Sequence, residues 1–192
     1  MKTILMTAML GLVGLGACTA KSEKSGETAE AVSEGDSKML VCYFSATGTT
    51  ERAARRLADI TGGDLYEITP VERYTDADLD WRDTLSRSYV EMHNPSSRPA
   101  IVDSLPDMTK YDVVFIGYPN WWNTHPTIIN TFIEAVDLKD KKVAPFMTSG
   151  GSTIANSEKE LRETYPNLTF TNGLLMNSVS DSDIKAWTDS IR

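Results

Sequence analysis

The chain has 192 residues, 41% hydrophobic and 24% charged, and carries a formal net charge of −8. That is the length and balance of one soluble globular domain. The acidic balance and the lack of any basic stripe exclude nucleic-acid binding, and two cysteines without a CxxC or Cys/His cluster exclude a structural zinc site.

The N-terminal stretch reads as a targeting segment. Met1-Lys2 precedes an apolar run from Ile4 to Gly16, too short to span a membrane but suited to an export signal. It ends in Leu15-Gly16-Ala17-Cys18, which resembles the bacterial lipobox, in which a small residue precedes a cysteine that is acylated. Residues 1–17 are therefore expected to be removed and Cys18 to carry a lipid. The product would be an exported bacterial lipoprotein, membrane-anchored, facing periplasm or exterior; ordinary secretion with cleavage nearby is the alternative. Residues 18–37, rich in Ser, Glu, Lys, Gly, Thr and Ala and without an aromatic, read as a flexible tether. The lipid is then the expected membrane contact. With Cys18 acylated, Cys42 has no disulfide partner and reads as a small buried strand residue.

The folded domain is expected over 38–192. Met39 to Phe44 is apolar and β-rich, and a helix is predicted from Glu51 to Ile60, ended by Thr61-Gly62-Gly63. Between them, Ser45-Ala46-Thr47-Gly48-Thr49-Thr50 is a tight loop of small hydroxyl residues that delivers the chain to a helix N-terminus. The first N–H groups of a helix lack intrahelical partners and lie at the positive end of its dipole, so a phosphate fits there. Gly48 permits close approach or a positive φ. No lysine lies in the loop, which argues against a nucleotide P-loop. The alternative is that these residues merely cap the helix.

Leu65 to Ile68 reads as a second strand. Asp76 to His93 has scattered apolar positions that allow a helix, with Trp81 as a packing residue; the alternative is an irregular cover over one edge of the sheet between Pro70 and Pro106. The continuous run Val113-Val114-Phe115-Ile116-Gly117 suits a parallel strand buried on both faces. A loop from Pro119 to His125 follows, and a helix from Pro126 with Ile128, Ile129, Phe132, Ile133 and Val136 on its core face. Lys142 to Met147 is the fourth strand, followed by the small-residue loop 148–152. A helix over Ser157–Tyr165, a fifth strand from Leu168 to Phe170 reaching toward Leu174, and a helix over Asp181–Ile191 complete the chain.

Strand and helix alternate about five times, which gives an α/β three-layer sandwich with a parallel sheet. Ligands in such folds lie beyond the carboxyl ends of the strands, where strand order reverses. The loops after the first, third and fourth strands are the candidates.

Ser45-x-Thr47-Gly48-x-Thr50 directly after a strand resembles the FMN phosphate loop of flavodoxins. The domain resembles that family over 38–192, above all its small members with Gly-Tyr-Pro-x-Trp-Trp after the third strand, here Gly117-Tyr118-Pro119-Asn120-Trp121-Trp122. The resemblance implies a flavodoxin-like five-stranded parallel sheet of order 2-1-3-4-5, which brings the three loops to one crevice. It implies FMN as cofactor, with Ser45, Ala46, Thr47, Gly48, Thr49 and Thr50 on the phosphate. Pro119, Asn120, Trp121 and Trp122 would flank the flavin ring, and Ser149, Gly150, Gly151 and Ser152 would reach its polar edge. At least one of the paired tryptophans is expected to stack on the ring; the alternative is that both pack against the neighbouring helix. His125 is either a proton donor near the ring or a solvated loop residue. No aromatic occurs from Thr148 to Ile154 and no carboxylate between Tyr118 and Thr131, unlike electron-carrier flavodoxins. An open ring face suits a substrate or a partner's cofactor.

The functional expectation is an FMN-dependent electron carrier or reductase serving a redox partner protein or a small-molecule electron acceptor. The alternatives are an NAD(P)H-dependent quinone or nitro-type reductase, for which nothing marks a nicotinamide site, and a non-redox lipoprotein binding module that keeps the fold.

Overall fold

The computed structural model describes residues 38–192; the expected signal segment 1–17, the expected lipidation position Cys18 and the expected tether 18–37 lie outside the described residues. The elements are β1 (Met39–Tyr43), α1 (Thr49–Thr61), β2 (Asp64–Glu67), α2 (Arg87–Met92), a 3-10 turn (Met108–Lys110) and β3 (Val113–Pro119). They continue with α3 (Ile128–Ala135), β4 (Lys142–Thr148), α4 (Ala155–Thr164), β5 (Thr169–Phe170), β6 (Leu174–Leu175) and α5 (Asp181–Asp189). The sheet runs in the order β2-β1-β3-β4-β5, all parallel, with β6 also paired to β4. Among the described residues no helix is long and apolar enough to cross a membrane.

Alternation along the central strands sorts side chains onto two cores. Leu40, Cys42, Val114, Ile116, Tyr118, Val143 and Met147 pack with Ile129, Phe132 and Ile133 of α3 and Leu161 of α4. Met39, Val41, Tyr43, Val113, Phe115, Ala144 and Phe146 pack with Ala54 and Leu57 of α1 and Ile184 of α5. Both faces are dry, as a parallel sheet requires. Burial raises the Cys42 thiol well above its ordinary pKa, which leaves it protonated and inert. Ser180 and Asp183 form a capping box that starts α5.

The predicted single fifth strand is two short pieces. β4 pairs Val143 with Phe170 and Phe146 with Leu174, so three residues (171–173) face two (144–145). Pro145 explains the interruption. Val143 O accepts Thr171 N–H at 2.9 Å and Met147 O accepts Met176 N–H at 2.8 Å. Pro145, between them in the alternation, turns its backbone to the same neighbour and has no N–H to give. Gly173 closes the bulge, where a Cβ would stand 2.8 Å from Pro145 O.

The helix allowed over 76–93 is also corrected. Only Arg87–Met92 is helical, started by Ser86, which accepts from Tyr89 N–H. Upstream, side chains capture the backbone first: Asp78 accepts from Thr75 N–H at 2.8 Å, Asp80 from Arg82 N–H at 3.0 Å and Asp83 from Leu85 N–H at 2.9 Å. Such local bonds offer the backbone an alternative to the helix. Most of 70–106 is therefore irregular and folds toward the strand ends.

Gly117 is required by its neighbour. It pairs with Phe146, and a Cβ there would lie 2.0 Å from the Phe146 ring. Gly117→Ala is expected to destabilise the protein by roughly 1–3 kcal/mol through overpacking. Adding Phe146→Leu should recover at least about 1 kcal/mol relative to the sum of the single changes, as denaturant melts of the double-mutant cycle would measure.

Candidate functional site

β1 and β3 lie side by side with Tyr43 opposite Gly117, and the pairing continues past the strand, Phe44 N–H donating to Gly117 O at 2.9 Å. β3 and β4 run together to Pro119 and Thr148, and Asn120 N–H donates to Thr148 O at 2.7 Å. The loops at 45–50 and 119–122 are thereby held against one another. Thr50 and Thr148 add a buried hydroxyl contact of 2.8 Å. A cleft of about 350 Å³ opens here, lined by Ser45, Ala46, Thr47, Thr50, Pro119, Asn120, Trp121 and Trp122, with Leu79 and Trp81 from the irregular segment and Ser88 from α2.

Residues 45–50 stand at the start of α1. Gly48 is the N-cap residue at φ 80°, in the left-handed region, and no side chain caps the helix. A thirteen-residue helix thus presents its first N–H groups to the loop. Arg52 folds its guanidinium back onto Thr49 Oγ1 at 3.3 Å, which brings a positive charge to the same turn. Thr47 and Thr49 are exposed, whereas Thr50 is buried against Thr148. Three polar atoms in the cleft wall, Ser45 Oγ, Ser88 Oγ and Asn120 Oδ1, are buried without a partner. An unmet buried group costs about 1–3 kcal/mol, so these atoms mark where a ligand's polar groups belong.

The paired tryptophans sit on a two-residue hairpin. Trp121 and Thr124 exchange backbone hydrogen bonds at 3.0 and 2.9 Å, and Trp122 and Asn123 between them have φ of 45° and 65°. Both values are positive, as in a type I′ turn, and a bulky residue there is strained. Glu160, which accepts from the Thr124 hydroxyl, and Asn156, which donates to Asn123 O at 3.1 Å, hold the turn from α4. The turn sends the indoles apart. Trp121 packs edge-on against Phe44 at 5.6 Å and Tyr74 at 5.3 Å between centroids. Trp122 meets Tyr89 and His93, which stack on each other at 3.8 Å. Tyr74 is itself fixed by Glu91 and by Arg87 over its ring at 4.0 Å. Although 119–125 holds no carboxylate of its own, the fold brings Glu160 to it.

Residues 149–152 adjoin the cleft without lining it. Ser149 N–H donates to Asn177 Oδ1 at 2.7 Å, and Ser149 Oγ accepts from Gly151 and Ser152 N–H at 3.1 and 2.8 Å. Nothing lies within 4 Å of where a Cβ would stand at Gly150 or Gly151, so the loop leaves room beside it.

His125 is not a solvated loop residue. It is 6% exposed, with Nε2 3.0 Å from Asn130 Oδ1 and Nδ1 3.0 Å from Ser157 Oγ. Ser157 Oγ is also 2.9 Å from the Tyr118 hydroxyl. Both ring nitrogens are engaged and neither faces the cleft lining, so His125 anchors the hairpin. Trp81 departs from expectation in the other direction: it is 64% exposed and forms part of the cleft wall. The Asx turns around it prevent the helix that would have buried it. Leu79, Trp81 and Ser88 are the site residues that sequence reasoning missed, since no motif marks the segment that carries them. Among the described residues no group of His, Cys, Asp and Glu side chains is placed to hold a metal ion.

The flavodoxin family model matches residues 38–191. Comparison with curated proteins found no match. Among solved structures, a Bacteroides eggerthii protein provisionally designated a flavoprotein is 56% identical, with a TM-score of 0.79 over 81% of this chain and 98% of its own. One of the same designation from Bacteroides uniformis is 51% identical, with a TM-score of 0.77 over 80% and 98%. A Lactobacillus acidophilus flavoprotein in complex with FMN is 25% identical, with a TM-score of 0.65 over 79% and 99%.

Burial holds the His125 imidazole below its ordinary pKa, against the opposing pull of Asn130. The unfolded chain therefore takes up the proton first as pH falls, and the stability this residue contributes, full above about 6.5, is lost as pH drops through the lowered folded value. Thermal melts between pH 7 and pH 5 should show a fall in Tm that is smaller in His125→Gln than in the parent. An equal fall in both would remove His125 from the acid response.

Proposed function

Because the chain belongs to the flavodoxin family, we propose that it is an FMN-binding redox protein that passes electrons to a partner protein or a small-molecule acceptor. The observation that carries this reading is the cleft at the ends of β1 and β3, where an uncapped helix N-terminus and the unpartnered Ser45 Oγ and Asn120 Oδ1 converge. These residues fit FMN. The phosphate would take the N–H groups of α1 with the hydroxyls of Thr47 and Thr49, and Arg52 stands by to balance its charge. Pro119, Asn120 and the indoles of Trp121 and Trp122 would border the ring, and the open side of 149–152 leaves space for its polar edge. When bound, FMN supplies one- and two-electron transfer. The protein's part is to fix the ring: the strained hairpin sets Trp122, while the Phe44 and Tyr74 contacts immobilise Trp121.

The absorbance spectrum of the purified protein and release of its flavin test the cofactor. Thr47→Ala should weaken FMN about tenfold or more, because a hydrogen bond to a charged group is worth about 1.5–3 kcal/mol, and should leave riboflavin affinity nearly unchanged. Equal affinities of the parent for FMN and riboflavin would show that 45–50 holds no phosphate.

We propose also that Cys18 is acylated, so that 18–37 tethers the domain to a membrane on the exported side. The support is Leu15-Gly16-Ala17-Cys18 after the apolar run. Cys18→Ala should move the protein from the membrane fraction to the soluble fraction; unchanged fractionation would overturn lipid anchoring through this residue.

A further inference from the structure

We propose that the wall formed by Leu79, Trp81 and Ser88 is a second binding surface in the cleft, for an uncharged planar aromatic molecule bearing a carbonyl oxygen, of the quinone class. It rests on the reading that FMN occupies the part of the cleft between 45–50 and 119–122.

Ser88 supplies the polar contact. Its side chain is 1% exposed, it lines the cleft, and its hydroxyl has no partner in the protein. A ligand oxygen that accepts this O–H removes the cost of leaving it unmet. Trp81 supplies the flat contact. A 64% exposed indole is costly in water, and an electron-poor planar ring stacks well on it. The Arg82 guanidinium lies 5.0 Å from the centre of that ring and holds it in place. Leu79 extends the apolar surface, and Trp122 lines the same cleft. None of the residues lining the cleft is charged, which suits a neutral ring and offers no counter-charge to a diphosphate. The wall is also independent of the phosphate loop. It comes from the segment after β2, where Ser88 N–H donates to Asp78 O at 3.0 Å and so ties the turn carrying Trp81 to α2.

The test is binding, measured with oxidised flavin-loaded protein and no electron donor. Menadione is titrated by calorimetry and FMN affinity is measured in parallel. Trp81→Ala and Ser88→Ala should each weaken menadione at least fivefold and leave FMN affinity within twofold of the parent, while Trp81→Phe should keep most of the menadione affinity. 2-Methylnaphthalene, which lacks the carbonyl groups, should bind less tightly to Trp81→Ala and equally well to Ser88→Ala. Absence of menadione binding to the parent, or unchanged affinity in both alanine variants, would overturn the proposal. So would a loss of FMN affinity in Trp81→Ala, which would make Trp81 a cofactor contact. A parent that takes up no FMN would defeat the cofactor reading by itself; the same menadione titrations on the flavin-free protein then decide the wall.

Discussion

The parallel pairing of β3 with β1 on one side and β4 on the other is the constraint on which the rest depends. It is dry on both faces, so its register is set by side-chain fit, and the fit is tight where Gly117 admits the ring of Phe146. From that register the loop positions follow. Phe44 bonds back to Gly117 and Asn120 to Thr148, so the chain leaving each strand is tied to its neighbour before it becomes a loop. The hydroxyls of 45–50 and the Trp-Trp hairpin meet because the three parallel strands deliver their chains to the same edge of the sheet.

Rigidity of the scaffold permits strain at the site. Trp122 occupies a left-handed conformation that a bulky side chain normally avoids, at a cost on the order of 1–3 kcal/mol. The compensation lies beneath and behind it: the Trp121 contacts with Phe44 and Tyr74, the Glu160 and Asn156 bonds from α4, and the buried His125–Ser157–Tyr118 chain. A neutral His125 suits that chain, since one ring nitrogen faces a carbonyl oxygen and the other a hydroxyl. Burial favours the same neutral form, so desolvation and hydrogen bonding act together there.

Segment 70–106 shows how a polar, turn-rich stretch acquires a role. Its Asp, Ser and Thr side chains bond their own backbone and deny it a long helix. Arg87, Glu91 and Tyr74 then fasten it to the aromatic cluster under Trp121. Held there, it turns the edge of a two-loop crevice into a walled cleft with an aromatic and a hydroxyl group of its own.

The sequence by itself determined the layered α/β fold, the parallel strands and the two loops of the cleft. Short β-branched and aromatic apolar runs such as Val113–Ile116 suit a strand buried on both faces, and small hydroxyl residues after such a strand suit the start of a helix. The helix predicted over 181–191 also forms as α5, and the structure fixes Ser180 as its cap. Tertiary structure alone decided the rest. Whether His125 is solvated or buried depends on Asn130 and Ser157, one of them 32 residues away. The separation of the indoles, Trp121 toward Phe44 and Tyr74 and Trp122 toward Tyr89 and His93, depends on backbone torsions that tryptophan does not favour. The break in the outer strand arises because Pro145 faces that edge, an orientation set by register. Trp81 and Ser88 carry no motif, and their place in the cleft comes from long-range packing of a segment whose local bonds specify only turns and the short helix α2.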